Sequence, residues 1–274
     1  MQRFPASGAN IGLFLADMDR PGRSVSSLNS YFYALKWAHR LCAYEDPTNH
    51  PFPLLVMEGV RRSKKDAIPK KRTPIDSTLL INICKAIKED GPNLRDLRFA
   101  SMATLSYAGL LRISEVLNLK CSDVSLHPTY IQLFIAKSKT DQKAEGTEIY
   151  ISAGYTEACP LDNLQKYLAE SSPQKNWFLF RNITSDGTLT KINKPMTYTR
   201  AREELRFFLT RAGVTPNSFG WHSFRRGGTT TAARAGVSDR QLKDHGRWLS
   251  DRAKNCYIEP DITDKLSVSK MLNI

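Results

Sequence analysis

The chain has no long hydrophobic run. Across its 274 residues no apolar stretch approaches the roughly 18 residues a membrane-crossing helix needs. The opening MQRFPASGAN also lacks the apolar segment of a secretory signal, so neither a membrane span nor secretion is expected. Cysteine is scarce: Cys42, Cys84, Cys121, Cys159 and Cys256 are odd in number, widely spaced and form no CxxC pair. A reduced, intracellular protein is the better reading, rather than a disulfide framework or a structural zinc site. None of the five histidines has a second three or four residues on, and there is no GxxxxGKS/T loop for nucleotide phosphates. No metal or nucleotide cofactor is expected.

Acidic residues are in deficit. Lys and Arg number 40 against 27 for Asp and Glu, a formal charge of +13. A polyanionic partner follows, and nucleic acid is favoured over a membrane surface because no helix pattern is strongly amphipathic with a basic face. The cations concentrate most densely at RRSKKDAIPKKR, residues 61–72, seven of them around one proline. This segment reads as a linker between a small region, 1–60, and a larger one, 73–274.

Periodicity assigns most of the elements. In the first region, Leu28, Tyr31, Phe32, Leu35, Ala38 and Cys42 recur at helical intervals. In the second, Asp76 is placed to cap a helix carrying Leu79, Leu80, Ile83, Cys84 and Ile87, and another helix is expected from Leu94 to Tyr107. Gly109 breaks the pattern before a short helix bearing Arg112 and Glu115. Residues Tyr130–Ile135 and Glu148–Ser152 are expected to form a hairpin with a long basic loop. Further helices are expected near 161–170, 198–212 and 222–235, followed by two short ones ending near Asp244 and Tyr257. The fold class is therefore mainly α with a small antiparallel sheet.

The chemistry-bearing residues are phosphate ligands by type. His222 and Arg225, three apart on a helix, can share one anion. Arg112 and Glu115 have the same spacing, which lets the carboxylate orient the guanidinium. In GRWLSDRAKNCYI, Tyr257 is a phenol able to attack phosphorus once a cationic surround and a proton acceptor activate it. Trp248 and His245 are rival neutral donors. Lys137, Lys139 and Lys143, all in the hairpin loop, are rival acids for a poor leaving group.

An arginine in a GLLRISE-like segment, a hairpin lysine, HxxR, and a His or Trp nine residues before a tyrosine together resemble the tyrosine recombinase, or phage integrase, family. The resemblance covers about residues 73–260 well and selects Arg112, Lys139, His222, Arg225, Trp248 and Tyr257 as catalytic, with Glu115 supporting Arg112. It implies site-specific breakage and rejoining of double-stranded DNA through a 3′-phosphotyrosyl intermediate, with neither ATP nor metal. It also implies a helical domain at 1–60 and a catalytic domain clamping opposite faces of a duplex, with protomers assembled as a tetrameric synapse. Arg61, Arg62, Lys64, Lys65, Lys70, Lys71 and Arg72 would then contact the DNA backbone. KKDAIPKKR also fits a nuclear-import pattern, so the expected location is the nucleus in a eukaryote and the cytoplasm or nucleoid otherwise. Two other readings share these residues: a type IB topoisomerase, and a domesticated, catalytically idle DNA-binding protein. The helical region ahead of the linker is short for the family, which implies a missing first helix and a chain that starts internally or is a fragment. The tail DKLSVSKMLNI is expected to form a helix with Leu266, Met271 and Leu272 on one side, packed on its own domain or on a neighbouring protomer.

Overall fold

In the computed structural model, residues 4–64, 72–89, 91–138, 145–260 and 262–272 are described. The chain divides into two units, Met1–Lys71 and Arg72–Ile274.

Helix starts in the first unit are set by short polar side chains. Ser7 accepts from Asn10 N–H to begin α1 (Gly8–Met18), and Ser24 accepts from Ser27 N–H to begin α2 (Val25–Leu41). Pro51, whose missing N–H costs nothing at a helix start, opens α3 (Pro51–Ser63). The apolar faces meet in a small core of Ile11, Leu15, Leu28, Phe32, Met57 and Val60. Of the expected α2 stripe, Leu28 and Phe32 are buried, whereas Cys42 is exposed. His39 is fully buried between the Ala6 N–H, which donates to Nε2, and the Leu35 carbonyl, which accepts from Nδ1. That pairing places a ring hydrogen on Nδ1 and a lone pair on Nε2.

The second unit is built around one almost wholly buried helix. Asp76 caps α4 (Ser77–Lys88), accepting from Leu79 N–H at 2.8 Å, and Leu80, Ile83, Cys84 and Ile87 face inward. A capping box between Asn93 and Asp96 starts α5 (Leu94–Ala108), in which every residue from Asp96 to Ser106 is buried. Its hydroxyls do not go unpaired: Ser101, Thr104 and Ser106 each donate to a carbonyl one turn back. Arg98, also buried, donates to Glu204 and to the Arg181 carbonyl, each at 2.5 Å. After α5 come a tight turn, α6 (Ile113–Asn118) and a three-stranded antiparallel sheet in the order β1 (Val124–Leu126), β2 (Tyr130–Ile135), β3 (Thr147–Ser152). The β2–β3 register pairs Leu133 with Ile149 and Ile131 with Ile151, which places these residues on one buried face. β1 went unpredicted because it is only three residues long and mostly exposed, with no alternation to read.

Helices α7 (Pro160–Ser171), α8 (Tyr198–Arg211), α9 (His222–Arg234), α10 (Asp239–Gly246), α11 (Asp251–Asn255) and α12 (Ile262–Met271) complete the unit. The close seating of α9 depends on Gly227 and Gly228. A Cβ at Gly227 would lie 1.6 Å from the Ile75 carbonyl oxygen, and one at Gly228 would lie 2.2 Å from that of Tyr107. The main chain ahead of α4 and the end of α5 therefore lie directly against α9. Ile262, Leu266 and Met271 on α12, and Leu272 just after it, are exposed.

Candidate active site

Arg112 enters the site because α5 ends abruptly. Gly109 closes the helix and Leu110 takes a left-handed conformation, φ 46°, which turns the chain so that Arg112 becomes the N-cap of α6. Glu115, one turn on, accepts the Arg112 backbone N–H at 2.8 Å and its guanidinium at 2.7 Å. The expected ion pair is present, and it also forms the helix cap. Burial alone would raise the Glu115 pKa, but the charge of Arg247 and the hydrogen bonds from Arg112 outweigh it and hold the carboxyl below its ordinary range.

Helix α9 supplies Arg225 and His222, with different surroundings. Arg225 is fully buried and donates to the Leu110 carbonyl and, at 2.6 Å, to that of Gly246. Burial, then Arg112 and Arg247, pushes its pKa down. His222, at the first position of the helix, is exposed. The Arg225 guanidinium carbon lies 4.3 Å from the Trp248 ring centre and 5.0 Å from that of Tyr257, within cation–π range. Trp248 and Tyr257 are 5.3 Å apart between ring centres, and His222 and Tyr257 are 6.5 Å apart.

The two rival donors differ in what their polar atoms already do. His245 gives its Nε2 hydrogen to the Ala108 carbonyl at 2.8 Å, and burial pushes its pKa down. Trp248 is 4% exposed, and its indole N–H has no partner among the described residues. A buried donor without an acceptor is costly and rare. Tyr257 itself is half-buried against Leu110, Leu242 and Trp248. Its backbone is held to α9: Thr230 donates to the Tyr257 carbonyl and accepts from Glu259 N–H, while Arg226 pairs with Glu259 at 2.5 Å.

Arg112, Glu115, Arg225, Trp248 and Tyr257 thus come together from three separate segments, with His222 at the edge. Lys139 lies outside the described residues. Its neighbours Lys137 and Ser138 line a cleft of about 620 Å³ together with Glu115, so the described end of the hairpin opens beside the cluster. Residues of the basic segment have varied settings. Arg61 and Arg62 belong to the last turn of α3, so the helical pattern runs on into the segment read as linker. Arg62 pairs with Glu58, and Lys64 pairs with Asp19 and donates to the Arg23 carbonyl. Arg72 donates to the Asn217 carbonyl and shares a cleft of about 390 Å³ with Arg202, Arg206 and His222. Lys65, Lys70 and Lys71 lie outside the described residues.

Arg247 was not anticipated. It is buried and donates to Glu115 and to the Leu110 and His245 carbonyls. Nothing in the local pattern of GRW marks it, because its partners Glu115 and Leu110 lie more than a hundred residues away in sequence. The clamp formed by Thr230, Arg226 and Glu259 on the tyrosine segment was likewise not visible.

Residues 76–263 match the model of the phage integrase family. An integrase/recombinase XerD homolog of Selenomonas ruminantium is 25% identical over 262 residues, spanning 93% of this chain and 74% of the relative. The recombinase Cre of Escherichia phage P1 is 23% identical over 265 residues, with 90% and 74% covered. Among solved structures, the XerH site-specific recombinase bound to a palindromic difH substrate superposes with a TM-score of 0.69 at 16% identity, covering 98% of this chain and 73% of that one. The Tn1549 transposon integrase in complex with circular intermediate DNA gives 0.61 at 14%, covering 97% and 85%. At such identities the structures speak for the fold, and the family match over most of the chain speaks for descent. The chain belongs to the phage integrase family, the tyrosine recombinases that cleave and rejoin DNA strands.

Proposed function

We propose that this protein breaks and rejoins double-stranded DNA at specific sites through a 3′-phosphotyrosyl bond to Tyr257. One observation carries the reading. Three buried guanidiniums cluster here, Arg112 and Arg247 paired with the one carboxylate Glu115 and Arg225 bonded to main-chain carbonyls, and beside them sit a half-buried phenol and an indole donor with no partner among the described residues. Such an arrangement carries excess positive charge that a phosphate, and still more a pentacoordinate phosphorane, neutralises.

In this mechanism Arg112 and Arg225 bind the non-bridging oxygens, and Trp248 adds one neutral hydrogen bond. His222, at the rim beside the phenol, takes up the proton that Tyr257 loses as it attacks. Tyr257 oxygen attacks phosphorus and the bond to the deoxyribose 5′ oxygen breaks. Lys139 protonates that oxygen as it leaves. The phosphotyrosine conserves the energy of the phosphodiester, and attack by another 5′ hydroxyl rejoins the strand. Cations of the 61–72 segment and the cleft of Arg72, Arg202 and Arg206 contact the backbone on either side of the scissile phosphate. The helical unit at 1–60 and the unit at 73–274 both engage the duplex.

Protomers assemble on paired DNA sites into a tetrameric synapse. Supporting this, Leu266 and Met271 on α12 and the adjoining Leu272 are exposed, while the catalytic unit has a mainly apolar cavity of about 800 Å³ lined by Tyr107, Leu110, Ile149, Ala232 and Leu242. A tail helix from a second copy has the matching chemistry.

The test is a covalent trap. Incubated with nicked DNA or with DNA carrying a 5′-bridging phosphorothiolate, the wild type yields a denaturant-resistant complex and Tyr257→Phe yields none. An equal adduct from Tyr257→Phe, or no adduct from the wild type, rejects the proposal; the second result, with DNA binding intact, favours an idle DNA-binding protein. Relaxation of supercoiled plasmid by an unassembled protomer favours a type IB topoisomerase.

A further inference from the structure

Arg247 belongs to the buried cluster but performs no step of the mechanism above. Arg247 sits between α10 and Trp248 with φ 57° and ψ 45°, a left-handed conformation that side chains other than glycine rarely adopt. Were a helix stop the sole requirement, glycine would serve with less strain. The arginine side chain is nonetheless 4% exposed and strung with hydrogen bonds. One terminal nitrogen donates to the His245 carbonyl at 2.8 Å and to that of Gly109 at 3.4 Å. The other donates to the Leu110 carbonyl at 3.1 Å and to Glu115 Oε2 at 2.9 Å.

These bonds link the two segments whose alignment the reaction requires. On one side is the turn from Gly109 to Arg112, itself forced through a left-handed Leu110; on the other is the turn carrying Trp248. The Leu110 carbonyl also accepts from Arg225, so two arginines converge on the turn that carries a third, Arg112. Glu115 is shared as well: Oε1 takes the Arg112 guanidinium, while Oε2 takes the Arg112 backbone N–H and Arg247.

We infer that Arg247 is a positioning residue for the cleavage reaction, setting the register of Arg112 against Trp248 and dividing the charge of Glu115 between two guanidiniums. A carboxylate divided in this way orients Arg112 without neutralising it, which leaves that guanidinium's charge for the phosphate. The inference rests on the cleavage reading above.

Single-turnover adduct formation on nicked DNA, DNA affinity and melting temperature are measured together for wild type, Arg247→Gly, Arg247→Lys, Glu115→Gln and the Arg247→Gly, Glu115→Gln double variant. Glycine suits the backbone at this position, so Arg247→Gly is expected to fold and to bind DNA within about threefold of wild type. Its maximal cleavage rate falls about 10- to 100-fold, the scale of losing an outer partner that orients a catalytic group. Arg247→Lys, which keeps the charge but not the fork, recovers part of the rate. The double variant is no slower than its slower parent, because both changes cut the same link. Cleavage by Arg247→Gly within twofold of wild type overturns the inference, as do losses that multiply in the double variant. If Arg247→Gly does not fold, Arg247→Lys decides: a lowered rate at unchanged melting temperature supports the role, and a wild-type rate overturns it. Absence of any adduct from the wild type overturns the cleavage reading, and this role with it.

Discussion

Replacing Trp248 with phenylalanine separates stability from catalysis. In the free protein the indole N–H has no acceptor among the described residues, so its burial costs about 1–3 kcal/mol, which phenylalanine relieves. The smaller ring leaves a void beside Leu110 and Leu242, costing about 1–3 kcal/mol on the scale of other large-to-small core changes. It still presents an aromatic face to Arg225, now 4.3 Å from the indole centre. These effects oppose each other, so the melting temperature is expected to move by only a few degrees. The transition state, in contrast, loses a hydrogen bond to a charged oxygen, about 1.5–3 kcal/mol, and cleavage slows about 10- to 150-fold. The assay is single-turnover formation of the covalent adduct at saturating protein, with melting followed by circular dichroism. Cleavage within twofold of wild type would refute a donor role for Trp248. A fall of ten degrees or more with proportionate loss of activity would show that the indole serves only to pack.

Three further expectations follow from individual contacts. Lys139→Ala should cleave normal DNA slowly and recover on a 5′-bridging phosphorothiolate, because a thiolate leaves without being protonated; equal slowing on both substrates removes Lys139 as the acid. Glu115 has a depressed pKa in the folded protein, so it contributes stability above its ordinary value of 4.5 that is lost as the pH falls below it. Glu115→Gln should therefore melt well below wild type at pH 7, with the gap closing as the pH falls progressively below 4.5 in paired thermal scans; a gap independent of pH contradicts the charge argument. Gly227→Ala would drive a methyl into the Ile75 carbonyl, 1.6 Å away, so α9 must shift and the unit should lose more than about 3 kcal/mol in urea titration. Wild-type stability for that variant would mean α9 is seated differently.

The legible part of the structure was the part with local causes. Asp76 before an apolar stripe, β-branched residues on both sides of a polar loop, and glycine after a buried helix each act within a few residues, and α4, β2, β3 and the break after α5 lie where those signals place them. The i, i+3 spacing of Arg112 and Glu115 also became an ion pair, because both partners are fixed by one short helix. For His222 and Arg225 the same spacing gave neighbouring positions on α9 but not their burial: the histidine stands at the exposed helix start and the arginine is buried beneath Trp248. Helical spacing states which side chains are neighbours and says nothing about what covers them.

By itself the sequence determined the helical fold class, the excess of positive charge, the residue types of a phosphate-cleaving site and, through their order and the interval from Trp248 to Tyr257, the family. Those properties are set by composition and short-range geometry, which the linear chain carries openly. Tertiary structure decided which polar atoms are already occupied. It gave His245 to the Ala108 carbonyl and left the Trp248 indole without a partner among the described residues. It seated Arg247 against Glu115, and it tied the Tyr257 segment to α9 through Thr230 and Glu259. The reason is physical: hydrogen-bond partners and burial depend on which distant segments the fold brings within about 3 Å, and no pattern of neighbours along the chain encodes that distance.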